Sequence, residues 1–549
     1  MIPCCLCFWV FSLAVGQSEG VSFRNQAVVS VCPIASREGA AILQKGGNAV
    51  DAAVATAFAL AVTHPAAGNI GGGGFMLVDG PGLEPEVIDY RETAPGAATQ
   101  RMFKPGESGR TAKAAGVPGT VAGLFLAHRR HGKLPWSTLV EPAVRLAGNG
   151  FESYPALVKS LNSVMAGMPA ESAFRKAYGK PGGGAWVSGD KMVFPDLAAT
   201  LGAIAKEGEK GFYTGKVARA IEAEMRRGGG LITLEDLSRY KAEVRAPVRI
   251  QFKGHEILAL PPPSSGGVCL SLILGMAGDL RLENEARDSA LTLHLLAESM
   301  RRAFRERARY LGDPAFAPLP KFLVDPEYAR QLAKGINRDS ATPSVALAGD
   351  IPVTKEPEHT THFSVADAGG MVVSNTYTLE DSYGSRVVVP GAGFILNNEM
   401  QDFNWFPGRT DTQGRIGTDA NLIAPGKRML SSQCPVIVRK DGKPVGVSGS
   451  PGGRTIPSTV AQVLLNKLAF GMSVEEAVGY PRLHHGWFPD ELRFEKAGDP
   501  KWADAVSGLK KRGHVVVGRS QGDAHTLWRE ADGWRAGIDQ RIAGGAAGR

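Results

Sequence analysis

From Ala49 to Val62 the chain is alanine-rich and apolar on nearly every side of the helix it would form. Such a helix has no face to offer water, so it must be buried. Asn48 stands at its N-cap position with Asp51 in the first turn, and His64-Pro65 ends it. The run Gly71 to Gly74 follows. A phosphate loop would close on Gly-Lys-Ser/Thr, which is missing here, so the glycines are read as a place where backbone packs closely. A chain of 549 residues exceeds one ordinary core and is expected to form one large two-layered unit or two or three smaller domains.

The formal charge of +8 arises from 62 basic and 54 acidic residues spread without a long basic run, so no nucleic-acid partner is expected. Hydrophobic residues at 43% and charged residues at 21% are those of a globular protein. Leu6 to Val15 is an apolar run followed by small residues, although no Lys or Arg precedes it. Residues 1–16 are therefore read as a signal peptide, the expected location is periplasmic or secreted, and the run is too short to span a bilayer. Cys4, Cys5 and Cys7 fall in that leader, while Cys32, Cys269 and Cys434 are isolated and are expected to serve packing.

Residues 196 to 227 carry a helical pattern that Gly228 to Gly230 stops, and Thr233-Leu-Glu-Asp236 opens another helix. Pro261 to Gly267 forces an irregular loop. Residues 338–359 lose all periodicity and are expected to form a flexible tail and the main boundary of the chain. Beyond it, residues 362–367 and 371–379 read as a β-hairpin around Asp367-Ala-Gly-Gly370. A three-residue loop with a left-handed Gly370 would set Thr360 opposite Thr378, whereas a two-residue loop would set Tyr377 there. A threonine becomes a useful nucleophile at a chain terminus, where its own α-amine, with a pKa near 8, acts as the base. A cut between His359 and Thr360 would create that terminus on a rigid strand edge. His359, His362, His484 and His485 have neither the spacing nor a chemical need for a metal, and no cofactor is expected.

Thr360-Thr-His-Phe-Ser-Val365 and Thr376-Tyr-Thr-Leu379 resemble the γ-glutamyltranspeptidase family of N-terminal-nucleophile hydrolases. So do Gly47 to Ala53, Gly71 to Met76, Gly116 to Gly119, Gly229 to Thr233, Pro261 to Gly267 and Tyr310 to Pro314. Asn397 to Met400, Leu430 to Ser432, Ser450 to Gly453 and Pro481 to His485 complete the set in family order. The resemblance implies an α+β fold, a four-layer αββα sandwich, made of a large subunit (17–359) and a small catalytic subunit (360–549) cut from one precursor.

It further implies that Thr360 is the nucleophile and that the backbone N–H groups of Gly452 and Gly453 stabilise the oxyanion; the three-residue loop would let the opposed Thr378 hydroxyl hydrogen-bond Thr360 and tune it. Arg91, Ser431 and Ser432 match the family's carboxylate site, and Glu399 and Asp402 its ammonium site. Glu380 stands where many members have asparagine, and the segment 403–419, in the place of the family's lid, lacks tyrosine. The implied partners are γ-glutamyl donors such as glutathione, with water or amino-acid and peptide amines as acceptors. Two other readings are an acylase of the same fold acting on glutaryl-type amides and an unprocessed, inactive binding protein.

Overall fold

The computed structural model describes residues 20–349, 353–354, 360–413 and 415–549. Two seven-stranded antiparallel sheets form its centre. The first runs in the order Gly545–Gly548, Ala27–Ser30, Thr361–Ala366, Val372–Thr378, Gly73–Asp79, Glu86–Tyr90 and Glu243–Arg245. The second runs Val21–Phe23, Gly533–Ile538, His525–Glu530, Lys443–Ser448, Val436–Lys440, His255–Ala259 and Val248–Phe252.

Side chains alternate across each strand, and that alternation divides the core into three. Val29, Phe75 and Leu77 point inward to meet Leu258, Ile437 and Leu527 of the other sheet. Their neighbours Val28, Met76 and Val78 point outward into a cluster with the helices Pro33–Gln44, Ala49–Thr63 and Trp136–Asn149. Ile257, Val436 and Val438 point the other way, against Gly266–Asp279, Ala290–Tyr310 and Ile456–Leu468. Helices thus cover both outer faces, and the layers are αββα as expected.

All fifteen residues of Ala49–Thr63 are buried. Asn48 and Asp51 cap it reciprocally, Asn48 Oδ1 accepting from Asp51 N at 3.0 Å and Asp51 Oδ2 from Asn48 N at 3.1 Å. The helical pattern after residue 195 divides into Pro195–Glu207, Lys210–Tyr213 and Gly215–Gly228. Gly208 and Gly215, both at positive φ, make the breaks. Cys32, Cys269 and Cys434 are buried and free. Among the described residues no helix is long and apolar enough to cross a membrane.

The tail expected to be flexible is docked over its first part. Ser344 is fully buried; it accepts from Arg301 at 2.6 Å, and its N–H donates to Asp490 at 2.7 Å. Thr342 N donates to Glu298 at 3.2 Å. These individual hydrogen bonds need no periodicity, which is why the sequence pattern misses them. Val353–Thr354 pairs with Arg415–Ile416, within the segment corresponding to the lid. The leader 1–16 and His359 lie outside the described residues.

Gly72 and Gly74 show why the glycine run is needed. A Cβ on Gly72 would strike the carbonyl oxygen of Thr378, and one on Gly74 that of Thr376. Gly74→Ala should therefore lower the thermal unfolding midpoint through an overpacking cost of about 1–3 kcal/mol. An unchanged midpoint would show that the strands can part there.

Candidate active site

The hairpin closes through a three-residue loop: Asp367 N donates to Met371 O at 3.0 Å, and Gly370 has φ +89°. Pairing runs from Ala366 with Val372 to Thr361 with Tyr377. One further step sets Thr360 opposite Thr378, at the edge of a narrow cleft that both residues line. Arg91, Glu380, Glu399, Asp402, Ser431, Ser432 and Gly453 line the same cleft. Gly452 precedes Gly453 in the turn; they have φ +126° and +51° and lead into the helix Ile456–Leu468. That places a helix N-terminus, which favours negative charge, beside Thr360.

Each wall is held from behind. In the PPPSSGG segment, Ser265 N donates to Ser431 O at 2.8 Å and Pro263 O accepts from Ser431 N at 2.7 Å. Asn397 Oδ1 accepts from Glu399 N at 3.0 Å and from Gly116 N at 2.8 Å, while its Nδ2 donates to Gly71 O at 2.8 Å. The short 3₁₀ turn Glu399–Asp402 then presents both acids to the cleft. Glu380 has φ +76°, a strained conformation for this residue, and its N–H donates to Thr378 Oγ1 at 2.8 Å.

Arg91 is fully buried and pairs through Nη1 with Glu399 and through Nη2 with Asp402, while Nε donates to Met429 O at 3.2 Å. Carboxylate oxygens of Glu380, Glu399 and Asp402 lie within 4.8 Å of one another. Glu92 adds a fourth acid, 3.5 Å from Arg91. Arg307 and Arg454 add positive charge on the side of Asp402. Burial, with Asp402 adding to it and Arg91 opposing it, pushes Glu399 up to about 7. Burial and then Asp402 and Glu399 hold Glu380 well above the ordinary carboxyl range, and burial and Glu399 do the same to Glu92.

Gln433, Arg454 and Ile456 also line the cleft without having been expected. Gln433 directly follows the serine pair and Arg454 the glycine pair, so adjacency was the available signal. Arg307, which donates to Ser432 Oγ at 3.0 Å, comes from the long helix Ala290–Tyr310 and had no local signal.

The histidines are spread among separate hydrogen bonds: His362 with Thr376 and Ser364 at 2.9 and 3.0 Å, His484 with Ser458 at 2.9 Å, and His485 Nδ1 accepting from Trp487 N at 3.2 Å. His294, Glu298 and His514 also cluster. There the two rings share a hydrogen bond at 2.8 Å and Glu298 is engaged by Arg301 and Arg302.

A carboxyl whose folded pKa is raised contributes stability below its unfolded pKa and loses it as pH rises through the folded value. Glu380→Gln, which cannot ionise, should thus melt above the native protein at pH 8, with the gap shrinking toward pH 5. Equal midpoints at both pH values would show that Glu380 carries no such strain.

The sequence profile described as Gamma-glutamyltranspeptidase matches residues 35–549. The glutathione hydrolase proenzyme of Escherichia coli (strain K12) is 40% identical over 522 residues, covering 93% of this chain and 90% of that one. The glutathione hydrolase proenzyme of Pseudomonas aeruginosa is 42% identical over 545 residues, covering 96% and 93%. The crystal structure of cephalosporin acylase from Bacillus halodurans superposes with a TM-score of 0.84 at 27% identity over 99% of both chains. That of Helicobacter pylori gamma-glutamyltranspeptidase gives 0.56 at 39% identity, over 61% of this chain and 96% of that one. Since the profile spans nearly the whole described fold and both sequence relatives run through it from end to end, the chain belongs to the γ-glutamyltranspeptidase family of N-terminal-nucleophile hydrolases.

Proposed function

We propose that this chain cuts itself between His359 and Thr360 and that Thr360 then moves γ-glutamyl groups from amides such as glutathione to water or to amino-acid and peptide amines. The observation that carries the reading is the hairpin register, which sets Thr360 against Thr378 at the mouth of a cleft lined by a cation, hydroxyls and acids. In the first reaction the Thr360 hydroxyl attacks the His359 carbonyl, the acyl group passes from nitrogen to oxygen, and water hydrolyses the ester. The products are a carboxylate at 359 and a free α-amine at 360.

In turnover that amine takes the hydroxyl proton as Thr360 Oγ attacks the γ-carbonyl, and returns it to the leaving amine. The N–H groups of Gly452 and Gly453 stabilise the oxyanion. Water or an acceptor amine then attacks the ester and frees the threonine. The γ-glutamyl head group brings one carboxylate and one ammonium. Ser431, Ser432 and the guanidinium side of the cleft suit the first; Glu380, Glu399 and Asp402 suit the second. The grouping of Glu380, Glu399 and Asp402 favours an acyl group that carries an ammonium over a glutaryl group that does not.

The two parts, 17–359 and 360–549, remain one body after the cut, because Thr361–Ala366 lies in the sheet between Ala27–Ser30 and Val372–Thr378, and the latter pairs with Gly73–Asp79. A periplasmic or secreted location rests on the leader at 1–16.

Intact-mass measurement with N-terminal sequencing should find two chains, one beginning at Thr360, while Thr360→Ala should remain one chain and turn over nothing. A Thr360→Ala protein that still matures and works would overturn the assignment. Of two anilides, γ-glutamyl should be hydrolysed faster than glutaryl by about 100-fold in kcat/KM, as expected when a buried charge pair goes unmade. The reverse order would make the chain a glutaryl-type acylase.

A further inference from the structure

Thr360 heads a strand of the first sheet, whereas Gly452 and Gly453 follow Lys443–Ser448 of the second. Their separation is set by whatever fixes one sheet against the other. Over much of the interface that is apolar contact among residues such as Val29, Phe75, Ile437 and Leu527. Such contact is non-directional.

Near Thr360 the interface is polar instead. Ser374 Oγ donates to Ser448 O at 3.0 Å, Ser448 and Thr526 share a hydrogen bond at 2.7 Å, and Ser364 Oγ donates to His525 O at 2.9 Å. The His362 ring lies where a Cβ on Gly449 would have to go.

Residues 522–525 touch both catalytic elements. His525 is joined to the Thr360 strand through Ser364, and Asp523 N donates to Ser450 Oγ at 3.0 Å in the glycine turn. The backbone of Gly522 stands 3.3 Å from the position a Gly452 Cβ would take. A buried pair holds this segment: Asp523 Oδ2 faces His525 Nε2 at 3.1 Å, both residues fully shielded from solvent, while Asp523 Oδ1 accepts from Ile542 N at 3.2 Å. Neither residue lines the cleft. Burial pushes Asp523 up to about 6 even with His525 beside it, so the pair carries a desolvation cost. Apolar side chains of similar volume would stabilise such an interior as well or better. What the pair adds is a close fixed contact between residues 523 and 525, with Asp523 also tied to Ile542 N.

We propose that Asp523 and His525 are positioning residues that hold the Gly452–Gly453 backbone at the spacing from Thr360 which oxyanion stabilisation requires. The proposal rests on the roles given above to Thr360 and the glycine pair. Loss of one oxyanion donor costs about 100- to 1,000-fold in kcat, so a partial displacement of two donors should cost less but remain plain. Substrate binding should be spared, because Arg91, Glu399 and Asp402 stand on other loops.

Asp523→Asn keeps the shape and removes the charge, His525→Leu removes the partner, and His525→Gln restores an N–H close to Nε2. With a γ-glutamyl anilide, the first two should lower kcat by about ten-fold or more with KM within about two-fold, and His525→Gln should recover most of the loss. A folded variant that stays uncut lacks the free Thr360 amine and is replaced in the test by Ser364→Ala and Ser450→Ala. Should the buried variants fail to fold, Ser364→Ala and Ser450→Ala decide the matter, as each removes one bridging hydrogen bond and no charge; both should lower kcat alone. Turnover within about two-fold of native throughout, or a loss confined to KM, would overturn the positioning role. Thr360→Ala separates the two ideas: if it is inert while Asp523→Asn is unaffected, positioning alone fails, and if it is active the underlying reading fails.

Discussion

Arg91 is buried among Glu92, Glu399 and Asp402 and also reaches the carbonyls of Met429 and Leu430, so a single guanidinium ties together three segments distant in sequence. A buried charge that loses its partner costs about 3–5 kcal/mol, which means that each of these segments is held where the others need it. The strand Glu86–Tyr90 delivers Arg91 from one side, the turn Glu399–Asp402 delivers the acids, and the loop at 429–432 closes the cleft. Packing behind them must be equally exact, and it is made from backbone: the glycines at 71–74 bring the carbonyls of Ile395, Thr378, Tyr90 and Thr376 into direct contact with the chain.

Strain gathers at the same place. Glu380, Tyr383 and Arg386 all have positive φ, just beyond the strand that carries Thr378. Each such residue costs about 1–3 kcal/mol and persists only where surrounding contacts over-determine it. Those contacts are visible: Tyr383 N donates to Ala66 O at 2.8 Å, Ser385 N to Leu396 O at 3.0 Å, and the Tyr383 hydroxyl to Ser160 at 2.9 Å. The reward is that the chain turns sharply enough to bring Glu380 back over Thr378, a position that a relaxed strand end would not reach.

The parts of this arrangement that were legible in the sequence are those encoded locally. Asn48 and Asp51 announce a helix start, Asp367-Ala-Gly-Gly370 announces a loop length, and the loop length fixes which threonines face each other. Arg307 had no such signal, because Ser265 and Ser432 lie 42 and 125 positions away; Asp523 and His525 stand two positions apart, but their links to Ser450 and Ser364, 73 and 161 positions away, are made only by the tertiary fold. Residues 338–349 were misread for the related reason that Arg301, Arg302 and Asp490 hold Thr342 and Ser344 by single hydrogen bonds, which leave no period in the chain. The pairing of Arg91 with the two acids was hidden in another way: the residues were identified, but as separate carboxylate and ammonium sites, whereas in the structure they pair and partly neutralise each other.

That neutralisation bears on how a ligand would be received. With Glu399 and Asp402 engaged by Arg91, what remains to meet a ligand is Glu380 and Glu92, whose burial favours the neutral form, and the buried Glu399 Oε2, which has no hydrogen-bond partner among the described residues. A zwitterionic head group entering the cleft exchanges partners instead of filling vacancies: its carboxylate competes for the guanidinium while its ammonium takes over the acids so released. The exchange keeps the sum of charges in the buried space nearly constant only if both ligand charges are present. An acyl group with a carboxylate alone would draw on Arg91 and leave Glu399 and Asp402 without a counter-charge, so it would be received less well.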